Sequence, residues 1–340
     1  MSMLKQLMQT YQHNCKNHDL SPPAVGIAVL DNGKWEFQVT GSRDIEASGD
    51  KVTINDSWHL GSCGKSFTAA LILHFVNEGI FDLNHSVQGY LPNIKLPKEV
   101  TISQLLTHSS GISNETPSAL IETLKDSAVA GPDSRTKLVE ILSSESEMWA
   151  DSQGVFNYCN WGYCLLGHLI DKHIGPFEEV LMETLVKPLG LSSIGFGAPS
   201  FNSPKGHWHE SGKLQAIEPG PFADNHVCLS PAGRIHLTLE DWSKWIDYLL
   251  QRRPSSLFLE NRVFESVGSV PYTLGGFSVS EDSRGIEYWH NGSNHLWFSS
   301  LSILPRQDKA LLVATNWGGV DLKSWVNDSL TEKFKELALL

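Results

Sequence analysis

The apolar positions of this chain fall into blocks whose spacing separates strands from helices. Ala24 to Asp31 and Lys34 to Thr40, joined by Asn32-Gly33, predict a β-hairpin with a two-residue turn. Phe67 to Val76 is almost continuously apolar, which suits a helix buried on all sides, with Gly79 as its stop. Phe81 to Leu96 is turn-rich, and Thr101-x-x-Gln104 is a capping box before Leu105-Leu106. From there to about residue 250 the pattern is mostly helical with loops. Thr238-x-x-Asp241 opens a helix with Trp242, Trp245, Ile246, Leu249 and Leu250 on one face. Tyr272 to Ser280, Ile286 to His290, Leu296 to Leu304 and Ala310 to Thr315 predict a strand meander, followed by a last helix carrying Leu322, Trp325, Val326, Leu330 and Leu337. The first dozen residues predict an amphipathic helix. The expected class is α+β: an antiparallel sheet flanked by N- and C-terminal helices (residues 1–80 and 230–340), with a mainly helical lobe inserted over 81–229. The active site is expected in the cleft between them.

Composition narrows the function classes. A chain of 340 residues, 41 % hydrophobic, can bury a large core. Its net charge is −12 and no basic patch is apparent, which argues against nucleic acid and anionic membrane surfaces as partners. The five cysteines are odd in number and lack framework spacing, so reduced thiols are expected. The N-terminal residues lack the apolar core of a signal peptide, and no later run is long enough to span a bilayer; the expected location is cytoplasmic. His207-Trp208-His209-Glu210 offers two ligands on one strand face without an identifiable third, so no metal is expected.

Candidate chemistry begins at Ser62-Cys63-Gly64-Lys65. An i, i+3 spacing in the first turn of a helix puts the Ser62 hydroxyl and the Lys65 amine on one face. Partial desolvation near a helix N-terminus eases loss of the lysine proton. Downstream, Phe156-Asn157-Tyr158-Cys159-Asn160 places Tyr158 and Asn160 on the same side of an extended loop. A tyrosine close to a cationic lysine is expected to ionise more easily and serve as a base, and an Asn amide orients a lysine or a substrate amide. In Tyr288-Trp289-His290-Asn291-Gly292-Ser293, a strand runs into His290, and Gly292 permits close approach of a substrate backbone. Singly, each motif has a structural reading: a capped helix, a packed loop Tyr, a surface His.

The order S-x-x-K, Y-x-N, H-x-G at 62, 158 and 290 resembles the serine β-lactamase and penicillin-recognising hydrolase superfamily. The resemblance is to its class C-like branch, with family VIII esterases, D-aminopeptidases and DD-carboxypeptidases. Thr101 to Ile112, Trp161 to Ile170 and Ser230 to Trp242 also look like segments of that branch, so the likeness covers roughly residues 20 to 335. It implies Ser62 as acylated nucleophile, Lys65 as its activator and Tyr158 as proton shuttle. Asn160, His290, Gly292 and Ser293 would bind substrate, with the Ser62 and Ser293 amides as oxyanion hole. It implies no metal and no cofactor.

Departures from the pattern bear on the substrate. His290 stands where many β-lactamases carry Lys, and an unperturbed pKa of about 6.5 makes it an unreliable anchor for a carboxylate at neutral pH. That favours a carboxylic ester or small amide over a β-lactam or D-amino-acid peptide as the small-molecule substrate. Cys63 and Cys159 are expected to be packed side chains, His108 a buried hydrogen-bonding residue, and Asp224-Asn225 turn chemistry or part of a cleft wall. Leu60 occupies the first position of what would be G-x-S-x-G, which argues against an α/β-hydrolase. A non-catalytic binding protein on the same scaffold is the alternative of another class. Intact Ser62, Lys65 and Tyr158 speak against it.

Overall fold

Strand β1 (Ala24–Asp31) is buried along its length until Asp31, whereas β2 (Lys34–Gly41) alternates between exposed and half-buried positions. The difference follows from position. In the six-stranded sheet, ordered β2, β1, β11 (Lys309–Thr315), β10 (Phe298–Leu304), β9 (Gly285–Ser293) and β8 (Ser278–Asp282), β1 is internal and β2 is an edge. Asn32 and Gly33 both take positive φ (50° and 77°), the left-handed pair that a two-residue hairpin turn requires. The computed structural model describes residues 1–17, 21–47, 49–116, 131–149, 152–200, 202–252, 260–319 and 326–339.

Strands β3 (Ser57–His59), β4 (Gly195–Phe196) and β7 (Ile235–Thr238) form a small second sheet, and β5 (Gly206–Glu210) pairs with β6 (Lys213–Ile217). The large sheet closes through β8 (Ser278–Asp282), β9 (Gly285–Ser293), β10 (Phe298–Leu304) and β11 (Lys309–Thr315), with every pairing antiparallel. Its central register brings Val25 opposite Thr315 and Leu30 opposite Ala310.

Two apolar layers sandwich this sheet. On the outer face Val25, Ile27 and Val29 pack with Leu7 and Met8 of the Met3–Asn17 helix and with Leu330, Phe334 and Leu337 near the C-terminus. On the inner face Ala28, Leu30, Leu301 and Leu312 meet the Lys65–Asn77 helix, which is buried on nearly every side. Gly79 follows that helix at φ 73°. The Thr101–Gln104 capping box forms with both reciprocal bonds, and Thr238 caps the Leu239–Leu249 helix through the Asp241 amide.

Beyond the sheet, the Gly131–Ser144 and Asn160–His173 helices are locked by Arg135. Its wholly buried guanidinium donates to Asp171 at 2.6 and 2.8 Å and to Glu178 at 3.1 Å twice.

Several expectations need correction. The span to residue 250 is not simply helical, because β4 to β7 lie in it; the Ser211-Gly212 turn, with φ of 51° and 82°, makes β5 and β6 a hairpin. The strand expected from Tyr272 begins only at Ser278, since Gly275 lies against the Val263 carbonyl and Gly276 turns at φ 84°. Near the C-terminus, Leu322 and Trp325 lie outside the described residues. Leu330 belongs to a wide helical turn, Val326–Thr331, that continues into the Glu332–Ala338 helix with Leu337. Among the described residues no helix is long and apolar enough to cross a membrane.

Candidate active site

Ser62 sits in a 3₁₀ turn, Gly61–Gly64, immediately ahead of the Lys65–Asn77 helix rather than within its first α-turn. The turn is tight because it packs against β9 without intervening side chains. A Cβ on Gly292 would lie 2.0 Å from the Leu60 carbonyl oxygen and 2.7 Å from the Ser62 nitrogen. One on Gly61, already at φ 49°, would lie 2.4 Å from the Ser293 nitrogen. Two glycines therefore let the backbones carrying Ser62 and Ser293 meet. The Ser293 hydroxyl turns away, donating to the Trp297 carbonyl at 2.8 Å and accepting from the His295 amide at 2.9 Å.

Lys65 is fully buried. Its Nζ lies 3.0 Å from Ser62 Oγ, 2.7 Å from Asn160 Oδ1 and 2.7 Å from the Ala232 carbonyl oxygen. Burial pushes its pKa down to about 7; nearby Cys164, Cys159 and Cys63 oppose the shift without reversing it. The ammonium has no carboxylate partner among these contacts, so desolvation is the larger effect. Sequence reasoning had no access to the Ala232 carbonyl, because a backbone acceptor leaves no side-chain signature.

Tyr158 reaches the same place from the opposite wall, with Lys65 Nζ 4.9 Å from its ring centroid. Contrary to the expectation that the lysine charge would ease its ionisation, burial raises the Tyr158 pKa, and the neighbouring Ser62 hydroxyl offsets this only in part. The phenol is itself buried, and loss of solvent penalises the phenolate more than its neighbours favour it. The loop bearing Tyr158 is held by His108. The His108 carbonyl accepts from the Asn157 amide at 2.7 Å, its Nδ1 accepts from the Cys159 amide at 3.1 Å, and its ring lies 4.3 Å from that of Tyr158. Burial, then Lys65 and His290, drive the His108 pKa well below the ordinary value, so it stays neutral. Asn160 opens the Asn160–His173 helix, its amide donating to Asn114 Oδ1 at 2.9 Å.

His290 is brought into this cluster but is 5 % exposed. Its Nδ1 faces the Asn291 carbonyl at 2.6 Å and its Nε2 the Tyr272 hydroxyl at 2.9 Å. Tyr272, which the misread strand hid, packs edge-on against the His108 ring. Cys63 and Cys159 are buried, with thiol pKa values raised to about 12 and about 11 by desolvation, and neither is an activated nucleophile.

Asp224 and Asn225 do more than shape a turn. They line a groove of about 320 Å³ beside Ser293, with Trp208, Phe222, Asn294 and His295 around them. Asp224 itself is buried, 2.8 Å from Nε2 of His59. His207 is structural: its Nδ1 contacts the Asn316 carbonyl at 2.8 Å and its Nε2 accepts from the Ile45 amide at 3.2 Å. Among the described residues no group of His, Cys, Asp and Glu side chains has the arrangement of a metal site.

The family model described as Beta-lactamase matches residues 4–325. Penicillin-binding protein 4 of Amycolatopsis lactamdurans is 25 % identical over 341 residues, covering 93 % of this chain and 86 % of the relative. Protein flp of Staphylococcus aureus (strain MW2) is 23 % identical over 318 residues, 88 % of this chain, and the match spans only 61 % of that relative's length. The solved structure of a class C beta lactamase from Rhodobacter sphaeroides superposes with a TM-score of 0.80 at 19 % identity, over 98 % of this chain and 99 % of that one. The fold is thus the β-lactamase/transpeptidase arrangement.

Proposed function

Since this chain belongs to the Beta-lactamase family, we propose that it is a serine hydrolase that forms an acyl-enzyme on Ser62, acting on a carboxylic ester or small amide. The observation that carries this reading is the environment of Lys65. A neutral amine has two hydrogens and one lone pair. The carbonyls of Asn160 and Ala232 take the hydrogens, and the lone pair is left for the Ser62 hydroxyl 3.0 Å away. With a pKa near 7, an appreciable fraction of Lys65 is in that form at neutral pH.

Ser62 Oγ attacks the substrate carbonyl carbon while its proton passes to Lys65 Nζ. The resulting oxyanion is bound by the Ser62 and Ser293 amides, the term expected to dominate barrier lowering. Tyr158, kept protonated by burial, donates to the leaving oxygen or nitrogen as the carbonyl re-forms, and regains its proton from Lys65. Deacylation runs the same transfers with water as nucleophile. Ester preference is supported by His290, whose two nitrogens are engaged with Asn291 and Tyr272 and which is therefore a poor anchor for a substrate carboxylate. The names of the penicillin-binding protein and the class C beta lactamase keep β-lactams as the second reading, and the motif resemblance adds D-amino-acid peptides to it. The five unpaired thiols are in keeping with a cytoplasmic setting.

Parallel intact-mass labelling with a fluorophosphonate and with benzylpenicillin, followed by peptide mapping, tests the proposal. A fluorophosphonate adduct on Ser62, faster turnover of p-nitrophenyl butyrate than of nitrocefin, and loss of at least about 10³-fold in kcat for Ser62→Ala are expected. Higher catalytic efficiency on nitrocefin would favour the second reading, and an active Ser62→Ala would overturn both.

A further inference from the structure

Three residues before Ser62, His59 is completely buried between Asp224 and the ring of Trp297, which stacks on it at 5.6 Å and 27°. Its Nδ1 accepts the Gly61 amide at 3.0 Å, which places the imidazole proton on Nε2, 2.8 Å from Asp224 Oδ1. The same carboxylate accepts from Asn294 Nδ2 at 3.0 Å, from the Asn225 amide at 2.7 Å and from Arg234 Nε at 3.3 Å. Asn294 directly follows Ser293, and its Oδ1 accepts the Leu296 and Trp297 amides at 3.2 and 3.1 Å, so it shapes the turn out of β9. Arg234 follows Gly233, where a Cβ would lie 3.1 Å from the Gly61 carbonyl carbon and 3.4 Å from the Ser62 nitrogen. One buried carboxylate therefore touches the three backbone segments that surround the reacting centre.

We propose that His59 and Asp224 are positioning residues that hold the Ser62 and Ser293 amides in a common geometry for the oxyanion. The inference rests on the reading of Ser62 as nucleophile. A buried polar cluster of this kind adds little net stability compared with apolar packing, so its value here lies in fixing one arrangement of polar groups. Burial alone would raise the Asp224 pKa; His59, Arg234 and Asn294 outweigh it and keep the carboxylate ionised below the ordinary value.

Two substitutions at His59 separate its two contacts. His59→Asn places a carbonyl near the position of Nδ1 and keeps an acceptor for Gly61, whereas His59→Gln reaches toward the position of Nε2 and keeps a donor for Asp224. Turnover of p-nitrophenyl butyrate is measured per active site, with sites counted by fluorophosphonate titration, so that partial misfolding does not enter the rate. His59→Gln and Asp224→Asn should lose about 10- to 100-fold in kcat with KM within about threefold, less than deletion of an oxyanion donor outright. His59→Asn should retain several-fold more activity than His59→Gln. Inhibition by phenylboronic acid, whose tetrahedral adduct uses the same amides, should weaken in parallel with kcat/KM. A per-site kcat within twofold of the parent in all three variants, a loss confined to KM, or unchanged boronate affinity would overturn the inference. A parallel Ser62→Ala enzyme separates the cases: if it is inactive while the pair variants are normal, only this inference fails. If it is active, the underlying reading fails.

Discussion

At the scale of single residues, burial outweighs charge in setting proton affinities around Ser62. Lys65 is pushed down to about 7 while Tyr158 moves the other way, the directions that the proposed roles of lysine as base and tyrosine as acid require. The kcat/KM profile for a neutral ester should accordingly rise through an acidic limb with an apparent pKa near 7, and Tyr158→Phe should lower turnover by about 10²–10⁴-fold. The same shift has a stability consequence of definite sign. Unfolded Lys65 keeps its proton to about pH 10.4, and between that value and 7 the unfolded chain binds more protons than the fold, so stability rises with pH. Comparing urea unfolding of the parent and Lys65→Met at pH 7 and 9 should show the difference moving in the parent's favour by about 1.4 kcal/mol per pH unit at most. A difference independent of pH would contradict the buried neutral amine.

At the scale of elements, close contact between the Gly61–Gly64 turn and β9 is the feature least tolerant of change. Gly292→Ala drives a methyl group toward the Leu60 carbonyl oxygen, and neither backbone can yield as a side chain would. Overpacking of this kind costs about 1–3 kcal/mol, but the displacement of Ser62 should cost more in activity, at least about 100-fold in kcat. Thermal melting and ester kinetics on one preparation check both. Arg135 makes the opposite kind of contact, with two carboxylates around one buried guanidinium. Arg135→Leu leaves Asp171 nearly buried without its cation and should destabilise by about 3–5 kcal/mol in urea titration, with KM little changed.

At the scale of the whole molecule, the sheet and its flanking helices were readable because their signals are local. Asn32-Gly33 specifies a hairpin, and the run from Phe67 specifies a helix with apolar neighbours on every side. The meeting of Ser62, Lys65, Tyr158 and Asn160 was legible only through the order of three motifs, since residues 62 and 160 adjoin through tertiary packing. What escaped was non-local or carried by backbone: the Ala232 carbonyl, the Tyr272 hydroxyl on His290, and the contact between His59 and Asp224. Net charge acts at this scale too. At −12, the molecule should discriminate against anionic esters at low ionic strength, and their KM should fall when salt is raised from about 10 to 200 mM while that of a neutral ester stays constant.

The partnership of β1 with β11 has a consequence for biosynthesis. Val25 waits for Thr315, and ribosomal elongation at about 5–20 residues per second puts roughly 15–60 s between their appearances. Throughout that delay the nascent hairpin presents Val25, Ile27 and Val29 on an unpaired edge, a template for joining strands of other chains. Productive expression should therefore depend on holdase chaperones more than the stability of the finished fold suggests.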